Sequence, residues 1–365
     1  MRKVSSKYST LLEYERFKMI KIAIVGTGGM AHMHARNYQK LKGVKLVAGC
    51  DVNPENVKNF CKKFGIKGIY TDINEMLSKE EIDGVSNATP DQYHKETSIA
   101  VMKKGIHILC EKPLALNYKD AKKMVDVAKQ KKVINMVNLS YRDSFAIHKA
   151  QELFQNGTIG KLKHFNASYL QSWLVSNQWG DWRTADTWLW RLSKDHGSNG
   201  VLGDVGVHII DFLTFPAGNI KSLHCQLKTF DKAKNNKIKK YKLDANDSCI
   251  ISAELQNGAV GTITATRFAT GHINDVSVVL YGDKGAIKVD LANSYNTIQV
   301  CLGKDINPGN WKTIKCKKTP SNYQRFINSI KTGKNDQPNF QTAAVVQKAI
   351  DACFVSDKQN KTIKV

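Results

Sequence analysis

A short β-rich run, Ile20-Lys21-Ile22-Ala23-Ile24-Val25, passes straight into Gly26-Thr27-Gly28-Gly29-Met30-Ala31. This is a strand feeding a G-x-G-x-x-A loop, and each small residue has a physical reason. Gly26 permits the tight turn, Gly28 lets a backbone approach a pyrophosphate, and Ala31 lets the following helix pack close to the strand. Gly29 and Met30 open that helix, whose free N–H groups and positive dipole end suit phosphate. The helix is expected over 28–41, and Val44–Cys50 reads as a second strand. Asp51 then stands at its end, where a carboxylate accepts from ribose hydroxyls. No Arg or Lys follows in Val52-Asn53, and a carboxylate repels a 2′-phosphate, so NAD is favoured over NADP. Asp51 could also cap a helix that begins at Pro54.

Working outward, short apolar runs at 84–88, 106–110 and 133–137 alternate with helices at 92–104 and from 117. Asn117 and Asp120 form a capping pair at the start of the latter, and Ala121, Met124, Val125 and Ala128 make its apolar stripe. Such alternation indicates a doubly wound parallel sheet. After residue 140 the pattern changes. A helix is expected over 144–155 and another over 201–214. Successive strands then run from about 219 to 316, punctuated by Asn257-Gly258, Gly282-Asp283-Lys284-Gly285 and Gly303-Lys304-Asp305. The expected architecture is α/β: an N-terminal Rossmann sheet plus a C-terminal α/β domain with a large, mostly antiparallel sheet. Residues 1–18 read as an N-terminal tail, 19–140 as a dinucleotide-binding domain and 141–365 as a domain for substrate and oligomerisation.

The chain of 365 residues carries 55 Lys and Arg against 32 Asp and Glu, a formal charge of +23. A basic balance raises nucleic acid, a membrane surface or an anionic small molecule as partners. Only eight of the bases are arginine, the residue that reads bases bidentately, and the lysines are scattered. The densest stretch, 228–242, holds seven Lys and one Asp without any nucleic-acid motif, and reads as a solvated loop. No apolar run reaches the length of a membrane span, and the first twenty residues lack a secretory core. Eight cysteines without a C-x-x-C spacing suggest free thiols in a reducing cytoplasm. No nucleic acid, no membrane and no metal are therefore expected.

Two further segments carry chemistry. Gly203-Asp204-Val205-Gly206-Val207-His208-Ile209-Ile210-Asp211 places Asp204, His208 and Asp211 on one face of an apolar helix, where buried charge requires partners. Asp-x-x-x-His could be a metal face, but no third ligand is adjacent. His32 and His34, two apart on a helix, face different ways and read as packing or surface groups.

Ala88-Thr89-Pro90 with His94 four residues beyond the proline, then Glu111-Lys112-Pro113, together with the glycine loop and the Asp…His pair, resemble the glucose-fructose oxidoreductase / inositol dehydrogenase / rhizopine-catabolism (Gfo/Idh/MocA) family over residues 20–365. The resemblance implies an NAD-dependent dehydrogenase for a sugar, inositol or related polyol. It implies cofactor contacts at Thr89, Pro90, His94, Glu111 and Lys112, a Lys112–Pro113 bond that is often cis, and catalysis by Lys112 and His208 with Asp204 positioning. It places Arg142 near the cleft entrance and implies a homodimer or homotetramer. Five of six tryptophans fall between 173 and 190, interleaved with Arg183 and Arg191. They read equally as a packing cluster or as a sugar-binding wall, with Trp173, Trp182, Trp190 and Arg183 as substrate contacts; Arg183 or Arg191 would suit a carboxylate or phosphate. Two rivals remain: a glycosidase that uses bound NAD transiently, and a non-catalytic NAD-binding regulator.

Overall fold

Residues 19–365 are described by a computed structural model; the expected N-terminal tail lies outside the described residues. Six strands form a wholly parallel sheet in the order β3-β2-β1-β4-β5-β6. They are β1 (Ile20–Val25), β2 (Val44–Cys50), β3 (Gly68–Tyr70), β4 (Gly84–Asn87), β5 (His107–Cys110) and β6 (Asn135–Val137). This is the doubly wound order, and β1 and β4 flank its switch point, where open α/β sheets bind ligands. The crossover helices are α1 (Gly29–Gln39), α2 (Pro54–Phe64), α3 (Ile73–Lys79), α4 (His94–Lys103) and α5 (Tyr118–Lys131). The capping pair forms as expected, with the Asp120 N–H donating to Asn117 Oδ1 at 2.9 Å. The three-residue β3 and the seven-residue α3 are additional to the sequence reading, being too short to show a period.

A second sheet has nine strands in the order β16-β15-β14-β13-β7-β12-β11-β8-β17. Its members are β7 (Leu162–Gln171), β8 (Ile220–Lys228), β11 (Ser248–Leu255), β12 (Val260–Thr266), β13 (Asn274–Gly282), β14 (Gly285–Asp290), β15 (Thr297–Leu302), β16 (Lys312–Lys315) and β17 (Ile363–Lys364). A separate small ribbon pairs β9 (Lys237–Ile238) with β10 (Tyr241–Lys242) inside the lysine-rich stretch. The large sheet is antiparallel except where β7 pairs β12 in parallel. Helices α6 (Phe145–Gln155), α7 (Asp186–Leu189), α8 (Val207–Ala217), α9 (Asn322–Thr332) and α10 (Phe340–Gln359) complete the fold.

The chain divides into two compact units that are not consecutive stretches. The first runs through Glu111 and takes in Lys123–Asn138 and Asn322–Phe340; the second holds Lys112–Lys122, Leu139–Ser321 and Gln341–Val365. A single boundary near 140 therefore describes only part of the division. In the first unit, Tyr323, Phe326 and Ile327 of α9 join Ile22, Ile24, Ala35, Phe60 and Leu109 in one buried cluster. Side chains of this kind stabilise by about 1.5–3 kcal/mol each when fully buried, which is reason enough for α9 to pack there rather than with its sequence neighbours.

Candidate active site

In the first unit, the glycine loop has the geometry its sequence demands. Gly26 sits at φ +78°, and a Cβ there would lie 2.6 Å from the Thr89 backbone nitrogen, so only glycine fits. At Gly28 and Gly29 an added Cβ would meet no protein atom within 4 Å. Helix α1 begins without a side-chain cap and without an acidic residue in its first turn. An open approach, uncapped N–H groups and no competing carboxylate fit a pyrophosphate. Ala31 is fully buried against the core and Met30 is exposed.

Asp51 closes the loop from β2. Its Oδ2 accepts from Thr27 N–H at 2.7 Å and from Thr27 Oγ1 at 2.9 Å. The cap of α2 is instead Asn53, whose Oδ1 accepts from Glu55 and Asn56 N–H. Asp51 is thus no helix cap; it fixes the glycine turn, and its place at the carboxyl end of β2 stays compatible with ribose.

Four residues expected at the cofactor are His94, Thr89, Pro90 and Glu111, and three of them are bonded to nearby protein groups. His94 is fully buried, with Nε2 2.9 Å from the Thr89 carbonyl. Thr89 itself is held by Asn87 Oδ1 at 2.7 Å, and Pro90 is exposed beside it. The T-P-x-x-x-H pattern therefore shapes the turn after β4. Glu111, at 6% exposure, accepts from Asn138 Nδ2 at 2.6 Å and meets His34 Nε2 at 2.7 Å. Its carboxylate is engaged by these two interior side chains. His34 is equally inward, with Nδ1 2.6 Å from Ser86 Oγ. His32 packs edge-on against Phe60 at 5.3 Å.

In the second unit, Lys112 precedes Pro113 through a cis peptide bond. Its Nζ donates to Asp204 Oδ1 at 2.8 Å and to the Asp204 carbonyl at 3.2 Å. Asp204 does not lie on a plain α-helix. Residues Leu202–Gly206 form one π-helical turn that leads into α8, and such wide turns recur at functional sites because they re-aim one side chain. The three residues expected on one face thus separate: Asp204 faces Lys112, while Asp211 pairs with Arg142. His208, at 8% exposure, packs its ring edge-on against Tyr141 at 5.0 Å, with the Tyr169 ring at 6.3 Å. The Tyr141 and Tyr169 hydroxyls bond each other and Asn274, and burial raises both phenols above their ordinary range.

Two further cations surround Asp204. Arg267 Nη2 donates to Oδ2 at 3.0 Å, and Arg191 Nε lies 3.8 Å from the same oxygen. Burial alone would raise the Asp204 carboxyl, but Lys112, Arg191 and Arg267 together outweigh it and hold the group well below the usual carboxylate range. Arg267 was not singled out in the sequence. A signal existed: Ile263, Ala265 and Arg267 share one alternation phase, which continues the buried face of β12 onto the arginine just past its end.

Arg142, expected near the cleft entrance, is buried and paired with Asp211. Its side chain is 3% exposed, Nε donates to Asp211 Oδ2 at 2.8 Å, Nη2 donates to Oδ1, and the guanidinium stacks on Phe215 at 4.0 Å. Trp173 and Trp182, at 3% and 2% exposure, belong to a core with Leu174, Leu189, Leu192 and Leu243, so neither is an open sugar wall. Trp190 is half-buried under the Arg191 guanidinium at 4.6 Å. Arg183 is exposed, stacks on Trp182 at 4.6 Å and lies 3.6 Å from Asp181. Among the described residues no cluster of three His, Cys, Asp or Glu side chains could hold a metal, and no helix is long and apolar enough to cross a membrane.

A parallel sheet with an NAD-type phosphate loop, and a lysine–aspartate pair beside a buried histidine, define a class: nicotinamide-dependent oxidoreductases. Within that class the chain belongs to the GFO/IDH/MocA oxidoreductase family, whose NAD-binding Rossmann model matches residues 20–139 and whose C-terminal domain model matches 147–288. It is 27% identical to levoglucosan dehydrogenase of Pseudarthrobacter phenanthrenivorans over 310 residues, 78% of this chain and 77% of that one. It is 26% identical to glucose-6-phosphate 3-dehydrogenase of Bacillus subtilis over 280 residues, 76% of each. A solved structure of levoglucosan dehydrogenase with NADH and levoglucosan superposes with a TM-score of 0.84 at 25% identity, covering 95% of this chain and 99% of that one.

Proposed function

We propose that this oxidoreductase uses NAD to oxidise a secondary hydroxyl of a sugar, inositol or related polyol, or to reduce the corresponding ketone. The observation that carries the reading is the Lys112–Asp204 pair at 2.8 Å with His208 one turn along the same helical segment. Bound NAD+ supplies the hydride acceptor. As the carbinol carbon loses hydride, its hydroxyl must lose a proton; the imidazole of His208 takes it, and the Lys112 ammonium donates a hydrogen bond to the developing alkoxide. Asp204 fixes the ammonium and offers an acceptor to a neighbouring hydroxyl. In the first unit, Gly26, Gly28, Gly29 and Asp51 are assigned to the pyrophosphate and ribose. Trp190 and the guanidinium of Arg191 remain suited to a sugar face, and Arg183 to an anionic substituent. A cytoplasmic homo-oligomer built through the nine-stranded sheet accompanies this reading, supported by eight free, buried cysteines.

The test is formation of NADH, read by absorbance, over a panel of sugars, inositols, uronic acids and sugar phosphates. NAD reduction by at least one class is expected. Tight NAD binding with no reduction across the panel would overturn the reading, and release of a leaving group with NAD unchanged would select the glycosidase.

A further inference from the structure

We propose that Arg267 is a positioning residue for this reaction: it takes Oδ2 of Asp204 and thereby leaves Oδ1 aimed at Lys112. The inference rests on the dehydrogenase reading for its catalytic meaning, but its geometry stands apart from it. Arg267 has no exposed surface, so it cannot touch a substrate. Its influence passes through Asp204.

Both terminal nitrogens of the side chain are held, while Nε is buried without a hydrogen-bond partner. Nη2 donates to Asp204 Oδ2 at 3.0 Å, and Nη1 donates to the Arg191 carbonyl at 3.2 Å. The two ends of one planar group thus set the spacing between a carboxylate and a backbone carbonyl, which a lysine ammonium cannot do. The guanidinium lies over the Trp173 ring at 5.0 Å, and that ring is tied by Nε1 to Gln171 Oε1 at 3.2 Å. The burial of Trp173 therefore has a purpose: it is a floor for the arginine. Behind it, the Arg267 N–H donates to the Asp247 carbonyl at 3.0 Å.

Asp247 is a second carboxylate that would compete for Arg267. Lys232 holds one of its oxygens, Oδ2, and leaves Oδ1 without a hydrogen-bond partner. Its Nζ lies 2.6 Å from Asp247 Oδ2, with both side chains essentially dry, and Phe230 N–H donates to the same oxygen at 2.9 Å. With Asp247 Oδ2 engaged by Lys232, Arg267 feels both carboxylates but makes its side-chain carboxylate hydrogen bond to Asp204. Burial nevertheless raises the Asp247 carboxyl and lowers the Lys232 ammonium from their ordinary values. The groups facing Asp204 are then Lys112, Arg191 and Arg267 as cations, with Tyr141 and Tyr169 as buried phenols.

The experiment is a carbon-13 titration of the Asp204 carboxyl in aspartate-labelled full-length protein, assigned with Asp204→Asn, alongside steady-state kinetics. Removing a cation that favours the charged form must raise the midpoint. Arg267→Gln is expected to move it up by about one pH unit or more, and to cut kcat by about tenfold with KM for NAD unchanged. Arg267→Lys keeps the charge but not the fork, so the midpoint stays near wild type while kcat still falls. If Arg267→Gln does not fold, Lys232→Met carries the test, because a released Asp247 draws Arg267 away and raises the Asp204 midpoint. An unmoved midpoint and unchanged kcat in the folded variants would overturn the proposal. A wild type that reduces no NAD while the Asp204 midpoint still responds would sink the dehydrogenase reading and leave the hold of Arg267 on Asp204 in place.

Discussion

Each compact unit has a buried polar centre, and the two are built on opposite principles. In the first, His34, Ser86, Glu111, Asn138 and Tyr323 use their polar atoms on one another. Exposure there is 0% at His34 and 2% at Asn138, and one carboxylate is shared by two donors. In the second, three cations converge on Asp204, whose side chain remains 30% exposed. A closed, mutually satisfied network holds a fold, since an orphaned member costs its full desolvation. An open, charge-rich one offers atoms that can exchange a proton. The first arrangement thus serves structure, and the second suits the chemistry proposed for it.

The sharpest way to break this contrast is Lys112→Met. Turnover should fall by about 10³-fold or more while the dissociation constant for NAD, measured by calorimetry, changes little. Near-wild-type turnover would remove the second centre from the chemistry. Next in size, Glu111→Ala leaves His34 Nε2 without its carboxylate acceptor and Asn138 Nδ2 with only the Tyr323 hydroxyl, and should cost about 3 kcal/mol in urea denaturation. A loss no larger than that of Lys112→Met would erase the distinction. Smaller again, Asp51→Ala frees Thr27 and should weaken NAD by about tenfold, or 1.4 kcal/mol, while narrowing its advantage over NADP. Competition binding with the two dinucleotides checks this.

Acid stability gives a finer test. The Asp204 carboxyl is depressed in the folded state, so its contribution is present above the ordinary carboxylate value near 3.9 and is lost as pH falls through the folded value. Denaturation below about pH 4 should therefore depend less on pH in Asp204→Asn than in wild type. The smallest expected signal comes from the thiols. Burial pushes Cys50 and Cys249 up to about 12, so alkylation in the native state near pH 8 should be negligible and appear only on unfolding. Rapid native labelling of either would contradict the closed interiors described here.

Much of the fold was legible because its signals are local. The glycine loop, the Asn117 and Asp120 cap, and the turns at Asn257-Gly258 and 282–285 each follow from a few adjacent residues. The reading failed where the partner is distant in sequence. His34 looks like a surface residue on its own helix, yet its partner Glu111 lies 77 residues away. Arg142 looks available until Asp211, 69 residues on, claims it. Trp173 and Trp182 were read partly as a ligand wall because composition does not show which ring faces inward. Residues 322–340 join the first unit through apolar contacts that no local pattern announces. In the candidate site, Lys112, Asp204 and His208 were identifiable from motifs, whereas Arg267 depended on a strand phase and on the packing of Trp173.

The most direct test of the account is isotope transfer. A polyol found active in the panel is deuterated at the carbinol carbon that it oxidises, incubated with the wild-type protein and NAD+, and the recovered dinucleotide is analysed by mass spectrometry and proton NMR. The account predicts one deuterium on C4 of the nicotinamide for each ketone formed, with loss of that transfer in Lys112→Met. Product formed with no deuterium in the dinucleotide would contradict it.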